Sequence, residues 1–508
     1  MMYKSNKIQY ENGMVITSSE MIALEEKILK DKTNSIDKYM KTAATEIFAI
    51  ANKFIEEKRL NNHMILLCGK GNNCGDAIAI GILAAQKNIR VTAFFLFPID
   101  QCSELIQNNI KIFKKNDGEI VFLKNIDEFF IEPNSLIVDG IFGIGFKGKI
   151  DGLVFQVIER VNQSPNNVLA IDIPSGVNGD TGIVETIAIM ANKTASLGLL
   201  KVGHLYNDGY NYSGDLHNID FNIQKKYLDE LNPYGYLINP EIINYNMPLH
   251  KRTANKYEIG KVAIIGGSMN MPGAPILASR AALRSGAGVV ELFFPPDVQM
   301  QLAQLPSEIL RSLCDINNID RLSAEMHRIN AIVVGPGIGR SDSVPIFLKK
   351  LYSIATCPLI IDGDALYFFN EFPISGVIIT PHKGELCKIL NISTKRSDIE
   401  IIDMAENLAK QKNLIIVYKG APTTLLFPNR KKLIIPYGNI GMATAGTGDV
   451  LTGIIASMIA QGKSIEEGAI LGATIHAIAG DEAKNVKSAR AMIASDIIIA
   501  LSSIFSRN

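Results

Sequence analysis

Short apolar runs alternate with amphipathic stretches along most of the chain. In the first half the runs are MILLCG (64–69), VTAFFLF (91–97), SLIVDGIF (135–142) and NVLAIDI (167–173), and DAIAIGILAAQKN (76–88) reads as a helix between the first two. The same rhythm returns downstream in KVAIIGG, VVELFF, AIVVGPG, PLIID, GVIIT and NLIIVYK. There PILASRAALRSG is an intervening helix, and further helices are predicted over 449–461, 465–480 and 489–503. Unbroken apolar runs of strand length, separated by helical segments, predict parallel sheets covered on both faces, so the fold class is α/β and doubly wound. The polar piece QKKYLDELNPYGYLINPEIINYNMP carries three prolines and no sustained period, and it predicts a division into domains 1–228 and 229–508. The halves share architecture but no sequence period, which points to two unrelated α/β domains and not a repeat.

Composition narrows the function class. A chain of 508 residues with 47% hydrophobic and 20% charged residues suits two globular cores, and its 51 basic and 51 acidic residues cancel. Such a balance carries no footprint of nucleic-acid or membrane binding. Cys68, Cys74, Cys102, Cys314, Cys357 and Cys387 are scattered without CxxC pairs, which predicts reduced thiols in place of disulfides or zinc. The beginning of the chain, MMYKSNKIQYENG, lacks an apolar segment of signal-peptide length, and no later segment gives a membrane span, so the expected location is cytoplasmic.

The strongest chemical signal is NIGMATAGTGDV (439–450), opening onto the apolar run LTGIIASMIA. Glycines and small residues let backbone N–H groups approach an anion, and the following helix aims its positive end at the same point. A carboxylate there, Asp449, would be repelled by a phosphate unless it takes a proton from a hydroxyl about to meet a phosphoryl group. The local string leaves helix cap and catalytic base both open. In the first half, GKGNNCGD (69–76) follows a strand and starts a helix but lacks the GK[ST] of a Walker loop and the spacing of a dinucleotide fingerprint. IVDGIFGIGFKGK (137–149) and AIDIPSGVNGDTG (170–182) place Asp139, Asp172 and Ser175 at two further strand ends, so three loops would converge on one crevice.

These three loops resemble the GxGNNxGD, DxxFGxG and DIPSG motifs of the NAD(P)H-hydrate epimerase family, over most of residues 15–225. The resemblance implies a Rossmann-like domain and a potassium ion held by Asn73, Asp139 and Ser175, whose oxygen donors suit a hard cation. It further implies substrate contacts from Asn72, Asn73, Cys74, Gly75 and Asp76, and from Gly143, Ile144, Gly145, Phe146, Lys147, Gly148 and Lys149, with Asp172 transferring the proton. Cys74 and Ala77 depart from the family, which usually has glycine at both positions; each adds a side chain where backbone meets ligand.

In the second half GGSMNMPGA (266–274), GPGIG (335–339), DGDAL (362–366), TPHKGE (380–385), YKGAPT (418–423) and AGTGD (445–449) resemble the ADP- or ATP-dependent NAD(P)H-hydrate dehydratases, members of the ribokinase-like α/β fold. That resemblance implies nucleotide contacts at Lys419, Gly420, Ala421, Pro422, Thr423 and Gly448. Contacts to the hydrated nicotinamide fall on Ala274, Gly337, His382 and Asp449. Glu385 would hold Mg²⁺ through water, and His382 reads either as a site residue or as a helix-start cap. Gly363 and Ala445 depart by small-for-small changes.

Together the halves resemble the bifunctional NAD(P)H-hydrate repair enzymes. The substrates implied are hydrated NADH and NADPH with ADP or ATP, the choice of nucleotide and homo-oligomerisation staying open. The rival reading is a C-terminal kinase for a small alcohol such as a vitamin, joined to an N-terminal binding module without turnover.

Overall fold

The structure, a computed structural model, describes residues 13–30, 36–314, 319–371 and 374–506. Two compact units divide between Tyr234 and Gly235, a little beyond the boundary at 228–229 expected from sequence. The extra residues stay with the first unit because Tyr227 and Leu231 pack with Ile16 and Met21, and because the ring of Tyr234 meets that of Tyr206 at 6.0 Å.

The first unit is built on seven strands, ordered Glu119–Phe122, Arg90–Phe95, His63–Cys68, Leu136–Gly140, Asn167–Ile171, Lys193–Leu197 and Asp215–Ile219, every neighbouring pair parallel. Side-chain alternation explains why the apolar runs are unbroken. Met64, Leu66 and Cys68 enter one core with helix Ile36–Lys58 and helix Asn72–Gln86, whereas Ile65 and Leu67 enter the other with helix Gly152–Gln163. Chain order reverses between His63–Cys68 and Leu136–Gly140, so the loops after Cys68 and Gly140 diverge there and open a crevice. The pair Met14–Ile16 and Leu200–Lys201, also parallel, belongs to this unit.

In the second unit the parallel strands are ordered Leu310–Leu313, Val289–Phe294, Lys261–Ile265, Ala331–Val334, Leu359–Ile361, Ile378–Ile379 and Ile415–Tyr418. An antiparallel edge of Thr423–Leu426 and Leu433–Ile435 follows, and Gly235–Leu237 lies parallel to the latter. The predicted C-terminal helices are Thr447–Ala460, Ile465–Lys487 and Ala494–Phe505. Thr447–Ala460 is buried continuously from Val450 onward, which accounts for an apolar run with no polar face. It packs on helix Gly273–Arg284, whose Ala278 carbonyl comes so near Gly453 that a Cβ there would lie 2.2 Å from the oxygen.

Candidate functional site

In the first unit, the loops at the strand reversal enclose a cavity of about 750 Å³. Its walls are Lys70–Asn73 and Asp76, the segment Ile141–Lys147, Asp172, and residues Met21 to Leu29 of helix Ser18–Lys30, Glu25 among them. The rings of Phe142 and Phe146 stack at 4.6 Å, giving the glycine loop an aromatic face suited to a planar heterocycle.

Asp139 and Ser175 are in direct contact, and Asn73 and Ser175 both reach the Phe142 carbonyl. Asp139 is wholly buried; its Oδ2 accepts from the Ser175 amide at 2.8 Å and its Oδ1 from Ser175 Oγ at 2.6 Å. Asn73 Nδ2 donates to the carbonyls of Phe142 at 2.8 Å and Ile171 at 3.2 Å. Burial pushes the Asp139 carboxyl up to about 6 despite these donors. A buried carboxylate among hydroxyl, amide and carbonyl oxygens is a donor set that fits a hard monovalent cation, whose charge would relieve that burial.

Asp172 is positioned by residues that the sequence reading overlooked. Lys201 Nζ, fully buried, donates to Asp172 Oδ1 at 2.6 Å and to the Leu197 carbonyl at 2.7 Å. The Leu197 amide reaches the same Oδ1 at 3.3 Å, and the Ile144 amide reaches Oδ2 at 3.4 Å. His204 Nε2 lies 2.8 Å from the Asp172 carbonyl, and its Nδ1 accepts from the Lys201 amide. Burial depresses the His204 pKa to about 4, so the neutral ring carries its proton on Nε2. A lysine alone inside the run LGLLKVGHL was the available signal for Lys201. For Glu25 it was an acid beside the apolar stripe Met21, Leu24 and Ile28.

Other expected contacts fall elsewhere. Cys74 and Ala77 are buried in the core beneath the cavity and do not line it, because the first helical turn aims them at the sheet. The departures from glycine therefore leave the cavity's width untouched. Gly75 also turns inward, where a Cβ would meet the side chains of Met40 and Ile106. Gly148 borders a second, smaller hollow of about 220 Å³, and Lys149 is exposed outside both.

In the second unit the strand-end loops bring Asp362, Glu385, Lys419, Gly448 and Asp449 into one electrostatic cluster. Gly446, with φ of 91°, is the N-cap of helix Thr447–Ala460 and supplies no side-chain cap; a left-handed backbone there favours glycine. Asp449 is thus inside the first turn and is not the cap, which removes one of its two sequence readings. Burial raises its carboxyl to about 7, Asp362 and Glu385 adding to the rise and Lys419 opposing it. Lys419 Nζ lies 2.8 Å from Asp362 Oδ1 and 3.8 Å from Glu385 Oε2. Burial works against its ammonium, but these carboxylates more than offset it, so its pKa is raised. A Cβ on Gly448 would stand 3.1 Å from that Nζ, so the glycine keeps the helix start open to the lysine.

His382 is the cap of helix Lys383–Leu390 and stands beside Glu385. Its Nδ1 accepts from the Gly384 and Glu385 amides as a helix cap, while Nε2 remains 3.5 Å from Glu385 Oε1. Gly337 and Ala274 are neighbours: a Cβ on Gly337 would lie 3.3 Å from that of Ala274. Residues Lys419 to Thr423 form the turn between two antiparallel strands, with a cis bond at Ala421–Pro422. Three carboxylates facing one lysine leave negative charge that a divalent cation would balance. Among the described residues no group of three acidic, histidine or cysteine side chains stands close enough to hold a metal ion directly.

Comparisons with known proteins follow the same division. Residues 262–502 match the family model described as NAD(P)H-hydrate dehydratase, and residues 37–203 match that of the YjeF-related protein N-terminus. A bifunctional NAD(P)H-hydrate repair enzyme from Moorella thermoacetica is 30% identical over 503 residues, 95% of each chain. One from Dictyoglomus turgidum is 31% identical over 502 residues, 95% of this chain and 96% of that one. Among solved structures, the ADP/ATP-dependent NAD(P)H-hydrate dehydratase of Bacillus subtilis, co-crystallised with ATP/Mg²⁺, is 25% identical. It covers 53% of this chain and 97% of its own, with a TM-score of 0.48. Similarity of this extent, running through both units and both sites, means that the chain belongs to the family of bifunctional NAD(P)H-hydrate repair enzymes.

Proposed function

We propose that the first unit interconverts the C6 epimers of hydrated NADH and NADPH, and that the second dehydrates the S epimer to NAD(P)H with conversion of ADP, or ATP, to AMP, or ADP, and phosphate. The observation that carries the second half is Asp449: a half-buried carboxyl raised to about 7 at an uncapped helix start beside a lysine. Hydroxide is a poor leaving group, and phosphorylation of the C6 hydroxyl turns it into a phosphate ester that the ring nitrogen's electrons can expel. Asp449 takes the hydroxyl proton, the amides of the AGTGD loop face the transferring phosphoryl group, and Lys419 neutralises its charge. Glu385 would hold Mg²⁺ through water, and the ion would supply further charge neutralisation. In the first unit Asp172 moves the proton, and Asn73, Asp139 and Ser175 would hold a potassium ion whose charge would offset that of the buried Asp139 carboxylate. We place the protein's action in the cytoplasm, on the scattered cysteines without CxxC pairs.

The test is to supply both epimers with ADP or ATP and follow reduced-nicotinamide absorbance together with phosphate. Reduced dinucleotide plus free phosphate is expected; a stable phosphate ester would instead mean a kinase. Lys419→Met should raise the nucleotide concentration needed for half-maximal dehydration by about 10- to 100-fold, the worth of one charge-assisted hydrogen bond. Epimerisation should be unaffected, and equal damage to both activities would refute separate sites.

A further inference from the structure

The cavity of the first unit contains more acid than one proton transfer needs. Glu25, Asp76 and Asp172 interact electrostatically, and Lys201, the buried cation among them, is bonded directly to Asp172. The lysine's one direct carboxylate partner in the cavity is thus Asp172, and neither Glu25 nor Asp76 shares that bond. Asp76 is fully enclosed at the start of helix Asn72–Gln86, and burial, then Asp172 and Glu25, push it well above the carboxylate range. Glu25 is less enclosed. It reaches the cavity from a different segment, helix Ser18–Lys30, and burial with the Asp172 charge raises it to about 7 against the pull of Lys201. A cavity-wall group so matched to neutral pH can both give and recover a proton within a turnover. The remaining charged groups on the cavity wall are Glu26, Lys70 and Lys147, and Lys147 is paired with Asp180 at 3.2 Å.

We propose that Glu25 is the second acid/base residue of this site, giving a proton to the C6 hydroxyl while Asp172 removes one from water. This assignment rests on the epimerase reading above. Glu25 protonates the hydroxyl, the C6–O bond breaks as the lone pair of the ring nitrogen forms the C6=N double bond, and water leaves. Water then adds to the other face of C6, its proton passes to Asp172, and the electron pair returns to nitrogen. Epimerisation in the opposite sense uses the same two groups with their roles exchanged, and the protons equilibrate through solvent between turnovers. No oxidant or reductant is needed.

The test uses the full chain without nucleotide, so that the second site is idle, and follows one purified epimer turning into the other. Glu25→Gln is expected to lower kcat for epimerisation by about 10²- to 10³-fold with KM little changed. Glu25→Asp should recover part of the rate. The wild-type rate from a single epimer should fall as pH rises above about 7, where Glu25 loses its proton, and this limb should vanish in Glu25→Gln. Unaltered melting and normal nucleotide-dependent dehydration would establish that the variant is folded. A Glu25→Gln protein with the wild-type rate and pH profile, or with only KM raised, overturns the assignment. No conversion above background by the wild type would overturn the epimerase reading itself.

Discussion

Asp449→Asn is expected to lower dehydration by about two to four orders of magnitude while the protein still binds ADP. The amide keeps the shape of the carboxylate at the helix start but cannot accept the hydroxyl proton. In the wild type the base must be ionised, so the dehydration rate should rise with pH and level off above about 7. Stability should show the opposite trend. A carboxyl whose folded pKa is raised favours the fold fully only below the ordinary carboxylate range, and that contribution is lost as pH rises through about 7. Asp449→Asn should therefore melt at a higher temperature than the wild type at neutral pH and above, a stability gain bought with activity. Near wild-type turnover in the folded variant would remove Asp449 from the reaction.

Asp172→Asn should convert a smooth repair trace into a biphasic one. The second unit consumes its preferred epimer at the normal rate and then stalls, with a tail set by spontaneous epimerisation. Removing potassium from the wild type should imitate the stall if Asn73, Asp139 and Ser175 hold the ion. The substitution also leaves the buried Lys201 ammonium without its carboxylate, a loss of stability independent of chemistry. The companion Asp172→Asn/Lys201→Met removes both charges and should recover folding without recovering epimerisation. A single fast phase to completion in folded Asp172→Asn would mean that Asp172 is not the epimerase base, or that the second site accepts both epimers.

The strand runs and their loop ends were legible in the sequence because a parallel sheet buried on both faces writes its strands as unbroken apolar segments and puts its ligand loops directly after them. Asp139, Ser175, Lys419 and Asp449 could be read in this way. Lys201 and Glu25 could not be assigned to the site, since each meets Asp172 only through the tertiary fold, one from a two-residue strand and the other from a helix far upstream. The hairpin Thr423–Ile435 was also overlooked. TTLLF and LIIPY flank the turn PNRKK, but the dominant strand–helix rhythm hid an antiparallel return. Cys74 was misplaced for a related reason: membership of a ligand loop says nothing about which way the first helical turn points each side chain.

Asp172 has a left-handed backbone, with φ of 63°. Asparagine and aspartate tolerate that conformation, while alanine there costs about 1–2 kcal/mol in backbone strain. Alanine scanning would thus report a folding defect and a chemical one as a single number at this residue, and would exaggerate its part in turnover. Over generations the same restriction narrows the routes by which a lineage can silence the epimerase while retaining the dehydratase: asparagine should switch off the chemistry with the turn relaxed, but only a second change at Lys201 would remove the charge it strands.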